Sequence, residues 1–299
     1  MTKSLYEKCQ EEITRCKKLY KGFSDSSPFI SSACSAVYEY FKEHPVAPLP
    51  AYDKEEAADM IRAGNSLSLN PNLKTRAAVG LLKKLGEVIA KTNPKLKATV
   101  NELDEHLDQF LLDSPEEVAK EELFNLRDFL IKETELEEDL ATFLFSIMLT
   151  SFYRQYLQAT SGVLRTDLWE RGDCPLCGTK PHYGQLRSED GAKQLECWLC
   201  GTQWLHTRIK CPYCNNTDME NLGFFTVEDD EKVRVNYCQK CCQYYKIFDA
   251  RKFHADGGVV LAIHNLASLD YDLLARREGF TPGSGLEWVN KDEIVEAQD

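Results

Sequence analysis

The chain has 299 residues, 43% of them hydrophobic and 28% charged, with a formal net charge of −12. That length points to two domains, the apolar fraction can fill a core, and the balance is that of a soluble acidic protein. The opening residues, Met1 to Gln10, carry no apolar h-region of a secretory signal, and the longest apolar run, Leu140 to Leu149, falls far short of a membrane span, so a cytoplasmic protein without membrane insertion is expected.

The first half reads as helix after helix. Ser4 to Leu19 is amphipathic, with Cys9 and Cys16 on one face as small buried hydrophobes. Ser31 to Phe41 is a second helix, stopped by His44-Pro45 and a link through Pro48 and Pro50. Lys54 to Ala63 is a short third, ended by Gly64. From Asn72 to Lys91, Ala77, Leu81, Leu82, Leu85, Val88 and Ile89 recur at helical spacing. Lys95 to Leu112 continues that pattern. Ser114-Pro115-Glu116-Glu117 supplies an N-cap, a proline in the first turn and a glutamate three residues on, which predicts a helix carrying Val118, Leu123, Leu126, Phe129 and Leu130. The last long helix, Glu137 to Thr160, is apolar nearly all round from Leu140 to Phe152, as befits the centre of a bundle, and ends at Ser161-Gly162.

Nine of the twelve cysteines then fall between Cys174 and Cys242, as four C-x-x-C pairs and one extra thiol. The pairs are Cys174/Cys177, Cys197/Cys200, Cys211/Cys214 and Cys238/Cys241. Two residues between thiolates make a tight turn, a knuckle, whose amides point at both sulfurs, and two knuckles complete a tetrahedral shell around one cation. Nineteen residues separate Cys177 from Cys197 and twenty-three separate Cys214 from Cys238, but only ten separate Cys200 from Cys211. Pairing in chain order therefore gives site one as Cys174, Cys177, Cys197 and Cys200, and site two as Cys211, Cys214, Cys238 and Cys241. Interleaved pairing stays open, because spacing alone does not determine connectivity. Disulfides are the competing reading, but a chain without a signal points to reduced thiols, and no βαβ setting surrounds a pair as thioredoxin chemistry requires. Such a shell suits zinc or iron.

Within each site the intervening residues predict a hairpin. His182 to Arg187 and Ala192 to Trp198 flank Ser188-Glu189-Asp190-Gly191; Leu222, Phe224 and Val227 precede Glu228 to Glu231, and Val233, Val235 and Tyr237 alternate after it. Each unit of knuckle, hairpin, knuckle is a duplicate in plan of the other, offset by thirty-seven residues at Cys174/Cys211. Units of about forty residues cannot bury enough apolar surface to fold unaided, whereas a structural zinc supplies on the order of 10 kcal/mol. Tyr244 to Asp249 reads as a strand leaving the second unit, Asp256-Gly257-Gly258 breaks it, and Val259 to Arg277 is a helix with Leu266, Leu269, Leu273 and Leu274 on a docking face. Thr281 to Gly285 and Lys291 to Asp299 read as a loose tail.

The expected fold is α+β: an N-terminal all-α bundle over 1–168, tandem rubredoxin- or zinc-ribbon-like β modules over 169–209 and 210–252, and a C-terminal helix and tail over 253–299. Residues 172 to 250 hold nine Lys and Arg against eleven Asp and Glu, and each S4 site with a divalent ion adds a net −2, so the ribbons offer no cationic track for nucleic acid. Trp198, Trp204 and Tyr213 accordingly read as packing around the knuckles, with Trp204 and Arg208 as a cation–π pair or a seam between ribbons. His106 sits among Asp104, Glu105 and Asp108, which point in different directions around a helix, and His182, His206, His254 and His264 read as ordinary hydrogen-bonding histidines. No phosphate loop, nucleophile elbow or paired-histidine zinc motif occurs, and no catalytic constellation. The residues leave three functions open: a non-catalytic binding platform, a rubredoxin-like iron electron carrier or redox protein, and a ribbon that docks on transcription or translation machinery.

The order of a helical half, Cys174-Pro-Leu-Cys177-Gly, the run Leu195 to Cys214 with Trp204 and Arg208 leading into the third knuckle, Tyr237 to Lys246, and Leu266 to Phe280 resembles the formate dehydrogenase accessory proteins of the FdhE family. The resemblance implies a cytoplasmic maturation or assembly factor, not an enzyme, that binds the catalytic subunit of a molybdenum or tungsten formate dehydrogenase. It also implies two ions, zinc or iron, at the knuckles, for which the residues above nominate eight cysteines and leave Cys242 spare.

Overall fold

The helical periodicity of the first half is realised almost throughout in the computed structural model, which describes residues 3–46, 53–67, 73–114, 117–118, 122–134, 136–160, 164–227, 230–253 and 259–283. The proline link at Pro48 and Pro50, the stop at Ser161-Gly162, Pro115 and Glu116, Glu228 and Asp229, the break at Asp256-Gly257-Gly258, His254 and the tail beyond Gly283 lie outside the described residues. The helices are α1 (Lys3–Leu19), α2 (Phe23–Glu43), α3 (Lys54–Arg62), α4 (Thr75–Thr92), α5 (Lys97–Asp113), α6 (Glu122–Lys132) and α7 (Glu138–Thr160). Helix α2 starts eight residues before the expected Ser31 and runs through Pro28. The polar stretch Ser24–Ser27 favours a turn by local preference, but burial of Phe23, Ser27 and Ile30 outweighs it. On α7 a complete stripe, Ala141, Leu144, Phe145, Met148, Leu149, Phe152 and Tyr153, is buried, as its composition requires.

The signal at Ser114 to Glu117 does not open a helix. Strand β1 (Leu73–Lys74) pairs antiparallel with β2 (Glu117–Val118), in register Leu73 with Val118, and α6 begins only at Glu122. Leu73 is buried, so the pairing satisfies a backbone that enters the core just before α4. Helices α1, α2 and α4–α7 form most of one of the chain's two units. Its interior includes Leu81, Leu82, Leu85, Leu103, Leu107, Leu126 and Leu130, and Gly86 on α4 lets Val100 of α5 approach closely.

The other unit carries the nine cysteines from Cys174 to Cys242 and includes α3 and most of the residues after α7. Its strands are β3 (Tyr183–Leu186), β4 (Lys193–Glu196), β5 (Gln203–Leu205), β6 (Leu222–Val227), β7 (Asp230–Cys238), β8 (Gln243–Asp249) and β9 (Thr281–Pro282). They form one sheet in the order β5-β4-β3-β8-β7-β6, with β9 beside the start of β8. Two antiparallel three-stranded ribbons are thus fused by a parallel seam in which Tyr183 of β3 lies opposite Lys246 of β8. Hairpins predicted from local turns carry no mark of this non-local pairing.

Residues 259–277 form two helices, not one: α8 (Leu261–Ala267) and α9 (Leu269–Arg277), broken at Ser268. Lys246, 1% exposed on β8, donates from Nζ to Asn265 O (2.9 Å), Ser268 O (3.2 Å), Ser268 Oγ (3.1 Å) and Asp272 Oδ2 (2.6 Å). The ammonium thus bonds the carbonyls at the end of α8, where the helix stops, and these partners offset the cost of burying it. The expected docking strip is also corrected. Leu269 and Leu273 are exposed, and the buried positions are Leu261, Ile263, His264, Ala267, Tyr271 and Ala275.

Candidate metal centre

Three of the four knuckles share one pair of backbone hydrogen bonds, and all four share a left-handed closing residue. In the first, Gly178 N donates to Cys174 O (2.9 Å) and Cys174 N to Thr179 O (2.9 Å); in the second, Gly201 N donates to Cys197 O (2.9 Å) and Cys197 N to Thr202 O (2.9 Å). The third repeats this with Asn215 N to Cys211 O (3.1 Å) and Cys211 N to Asn216 O (2.8 Å). Each turn needs a left-handed residue after its second cysteine, filled by Gly178 (φ 77°), Gly201 (φ 80°), Asn215 (φ 58°) and, after Cys241, by Cys242 (φ 54°). That explains why glycine or asparagine closes three knuckles. It places Cys242 at a turn position, exposed, with its thiol directed to Gln239 O at 3.5 Å.

The sheet brings the knuckles together in chain order. Cys174, Cys177, Cys197 and Cys200 form one group and Cys211, Cys214, Cys238 and Cys241 the other, the sulfurs of each lying within 4.8 Å of one another. In the first, Cys174–Cys200, Cys177–Cys197 and Cys177–Cys200 are 3.6, 3.5 and 3.6 Å apart; in the second, Cys211–Cys241 and Cys214–Cys238 are both 3.7 Å. A disulfide would hold its sulfurs at about 2 Å. A tetrahedron of metal–sulfur bonds of about 2.3 Å has edges of about 3.8 Å. The residues fit an ion of that size at either group, and the interleaved arrangement does not occur.

The electrostatics call for a cation. Burial pushes the Cys174 and Cys197 thiols well up, while at Cys177 burial is outweighed by hydrogen bonding from Cys174, Cys197, Cys200 and Thr179, which holds it well down. Burial also raises Cys211, to about 11. Four adjacent thiolates repel one another, and a divalent ion removes that penalty by displacing the protons. Thr179 and Thr202 are buried beside the sulfurs: Cys177 Sγ donates to Thr179 Oγ1 (3.3 Å), and the Thr202 hydroxyl lies 3.1 Å from Cys200 Sγ, where it can donate to a thiolate. Cys-Gly-Thr after both knuckles of site one is a signal the sequence carried.

The surrounding aromatic and basic residues separate into distinct tasks. Trp204 is buried and donates from Nε1 to Arg171 O (3.2 Å), whereas Arg208 donates to Gly191 O in the first hairpin turn. Trp204 packs within ribbon one. Tyr213, inside the third knuckle, donates to Pro181 O (2.8 Å) and Tyr244 O (3.0 Å), stitching that knuckle to both ribbons. His182 stacks on Trp198 at 5.2 Å, and burial pulls its pKa to about 4; burial pulls His206 to about 3. Both are neutral near pH 7. Lys193, buried on β4, and Gly172, against whose absent Cβ Pro212 O would lie 2.0 Å away, were not foreseeable without the fold.

A family model described as FdhE, central domain, matches residues 173–208, which hold the first cysteine group. The chain is 35% identical over 142 residues to a protein FdhE homolog of Aquifex aeolicus, covering 44% of this chain and 49% of that one. It is 29% identical over 206 residues to protein FdhE of Salmonella choleraesuis, covering 68% of this chain and 63% of that one. These alignments span about half to under two thirds of the curated relatives. The fold is similar to the crystal structure of the FdhE protein from Pseudomonas aeruginosa, with a TM-score of 0.61, 20% identity and 94% of each chain covered. A helical half, two groups of four cysteines on one sheet and late helices are the architecture that the match to that structure spans, and the FdhE proteins are what this chain is similar to in sequence and in fold.

Proposed function

We propose that this protein is a non-catalytic, cytoplasmic accessory factor that binds the catalytic subunit of a molybdenum or tungsten formate dehydrogenase during its maturation. In this reading two ions, zinc or iron, are held by Cys174, Cys177, Cys197 and Cys200, and by Cys211, Cys214, Cys238 and Cys241. The observation that carries it is the pair of S4 groups with tetrahedral sulfur spacing in a chain similar to the FdhE proteins. The ions act as staples: they let two small ribbons, weak in apolar core, hold a rigid face for a client. Among the described residues no helix is long and apolar enough to cross a membrane. Capture of the formate dehydrogenase catalytic subunit by the native protein, and its loss with Cys174→Ser/Cys177→Ser, supports the reading; equal capture by both removes site one from the function.

A rubredoxin-like electron carrier is the second reading, favoured by one feature: Cys214 and Cys241 are partly exposed, as a sulfur that passes electrons to a partner must be. Iron at the sites with a visible absorption that bleaches and returns on reduction and oxidation would establish it, and colourless protein with two zinc ions would dismiss it.

A further inference from the structure

Lys193 stands on β4, four residues before Cys197, and is 3% exposed. A buried ammonium is costly unless each proton is bonded. Its partners lie on the path to site two. Nζ donates to Arg208 O (3.1 Å) and Lys210 O (3.3 Å), the carbonyls of the segment that delivers Cys211. It also donates to Tyr245 Oη (3.1 Å) on β8. Tyr245 lies opposite Asn236 of β7, the strand that ends at Cys238. One side chain of ribbon one therefore touches the segment that enters the third knuckle and the strand that leaves the fourth. Burial lowers the Lys193 pKa to about 7, and the Cys211 sulfur is the charge that works against that.

Ribbon one makes other contacts with the third knuckle, through Gly172 at Pro212 and Pro181 at Tyr213, but neither residue lies on a strand that site one terminates. Lys193 does: β4 runs directly into Cys197, so closing site one fixes the strand that presents the ammonium.

We propose that Lys193 is a positioning residue that couples the two cysteine groups, so that an ion at site one raises the affinity of site two for the next. Linkage makes the effect reciprocal, and couplings of this kind are worth roughly 5- to 150-fold. The inference rests on the metal reading given under Proposed function.

The test uses the full chain, reduced and stripped of metal, titrated with Co²⁺ and followed by its thiolate charge-transfer and d–d bands. Site two should bind about ten-fold more weakly when site one is removed by Cys174→Ser/Cys177→Ser than when site one is filled. With Lys193→Met added, that difference should shrink below about two-fold, while site one, measured alone in Cys211→Ser/Cys214→Ser, keeps its affinity. Equal weakening of both sites by Lys193→Met, with the ten-fold difference intact, would make the lysine merely structural and overturn the proposal. Tyr245→Phe takes away one acceptor and keeps the ring. It should reduce the difference to about three-fold, and an undiminished difference there overturns the proposal even if Lys193→Met does not fold. Two ions bound independently by the unsubstituted chain defeat the coupling alone, whereas no cobalt at either group defeats the metal reading itself.

Discussion

At the first cysteine group all four residues are buried and each knuckle closes with glycine and threonine; at the second, Cys214 and Cys241 are partly exposed and the turns close with Asn215 and Cys242. The first group is held by a contiguous meander, β3-β4-β5. The second leans on it, since its third knuckle rests on Gly172, Pro181 and Lys193 of ribbon one. A shared turn thus yields a self-contained centre and a dependent one. The first should act as a folding core, and the second as a site that can open without unfolding its neighbour.

Substitution of one cysteine in each group probes that difference most strongly. Cys197→Ser should cost on the order of 5 kcal/mol of stability, since metal binding at a buried structural site is folding free energy. Cys214→Ser should cost only about 2 kcal/mol, losing one ion and leaving the other. Thermal unfolding read beside metal content checks both, and equal losses would erase the distinction.

Gly172→Ala attacks the seam alone. Its Cβ would meet Pro212 O at 2.0 Å and the Pro212 Cα at 2.5 Å, so the third knuckle has to move. A cost of about 1–3 kcal/mol is expected, with site two emptied and site one retained in a cobalt spectrum. A variant that binds two ions with native stability would show that the knuckle does not need ribbon one. Chelator challenge of the loaded protein sharpens the comparison kinetically. One ion should leave at least about ten times faster than the other, which needs only about 1.4 kcal/mol of barrier difference. The fast phase should vanish in Cys214→Ser, and a single phase for both ions would contradict the assignment.

Much of the centre was legible because knuckles are local. The two-residue gaps and the closing Gly178, Gly201 and Asn215 specify a backbone turn within six residues, and the spacing predicted the grouping in chain order that the sulfurs adopt. Long periodic helices such as α4, α5 and α7 were legible for a similar reason. What could not be read is non-local. The parallel pairing of β3 with β8 leaves no trace in either strand's own pattern, nor does the service of Lys193 and Lys246 as buried cross-braces, because an isolated lysine reads as surface. The signal at Ser114 misled in the opposite sense, for a complete N-cap motif was overruled when the chain paired Val118 with Leu73. Residues 259–277 carry a helical pattern throughout, and the break at Ser268, where Lys246 of a distant strand bonds the carbonyls, has no mark in it.

The smallest expected effect isolates the turns from the metals proposed to sit between them. A side chain in the left-handed region costs about 1–2 kcal/mol, against which glycine loses up to about 1 kcal/mol in chain entropy. Gly201→Ala, at φ 80°, should therefore destabilise site one's knuckle by about 1 kcal/mol, whereas Cys242→Gly, at φ 54°, should stabilise site two's by a few tenths to about 1 kcal/mol. Asn215→Gly should be close to neutral, since asparagine tolerates this conformation. Denaturant unfolding of the metal-loaded proteins at fixed ion concentration measures all three. If Cys242→Gly lowers stability or releases the second ion, the thiol has a bonding role that its turn geometry does not require; if it raises stability and both ions stay, the second centre carries strain at a position where the first carries none.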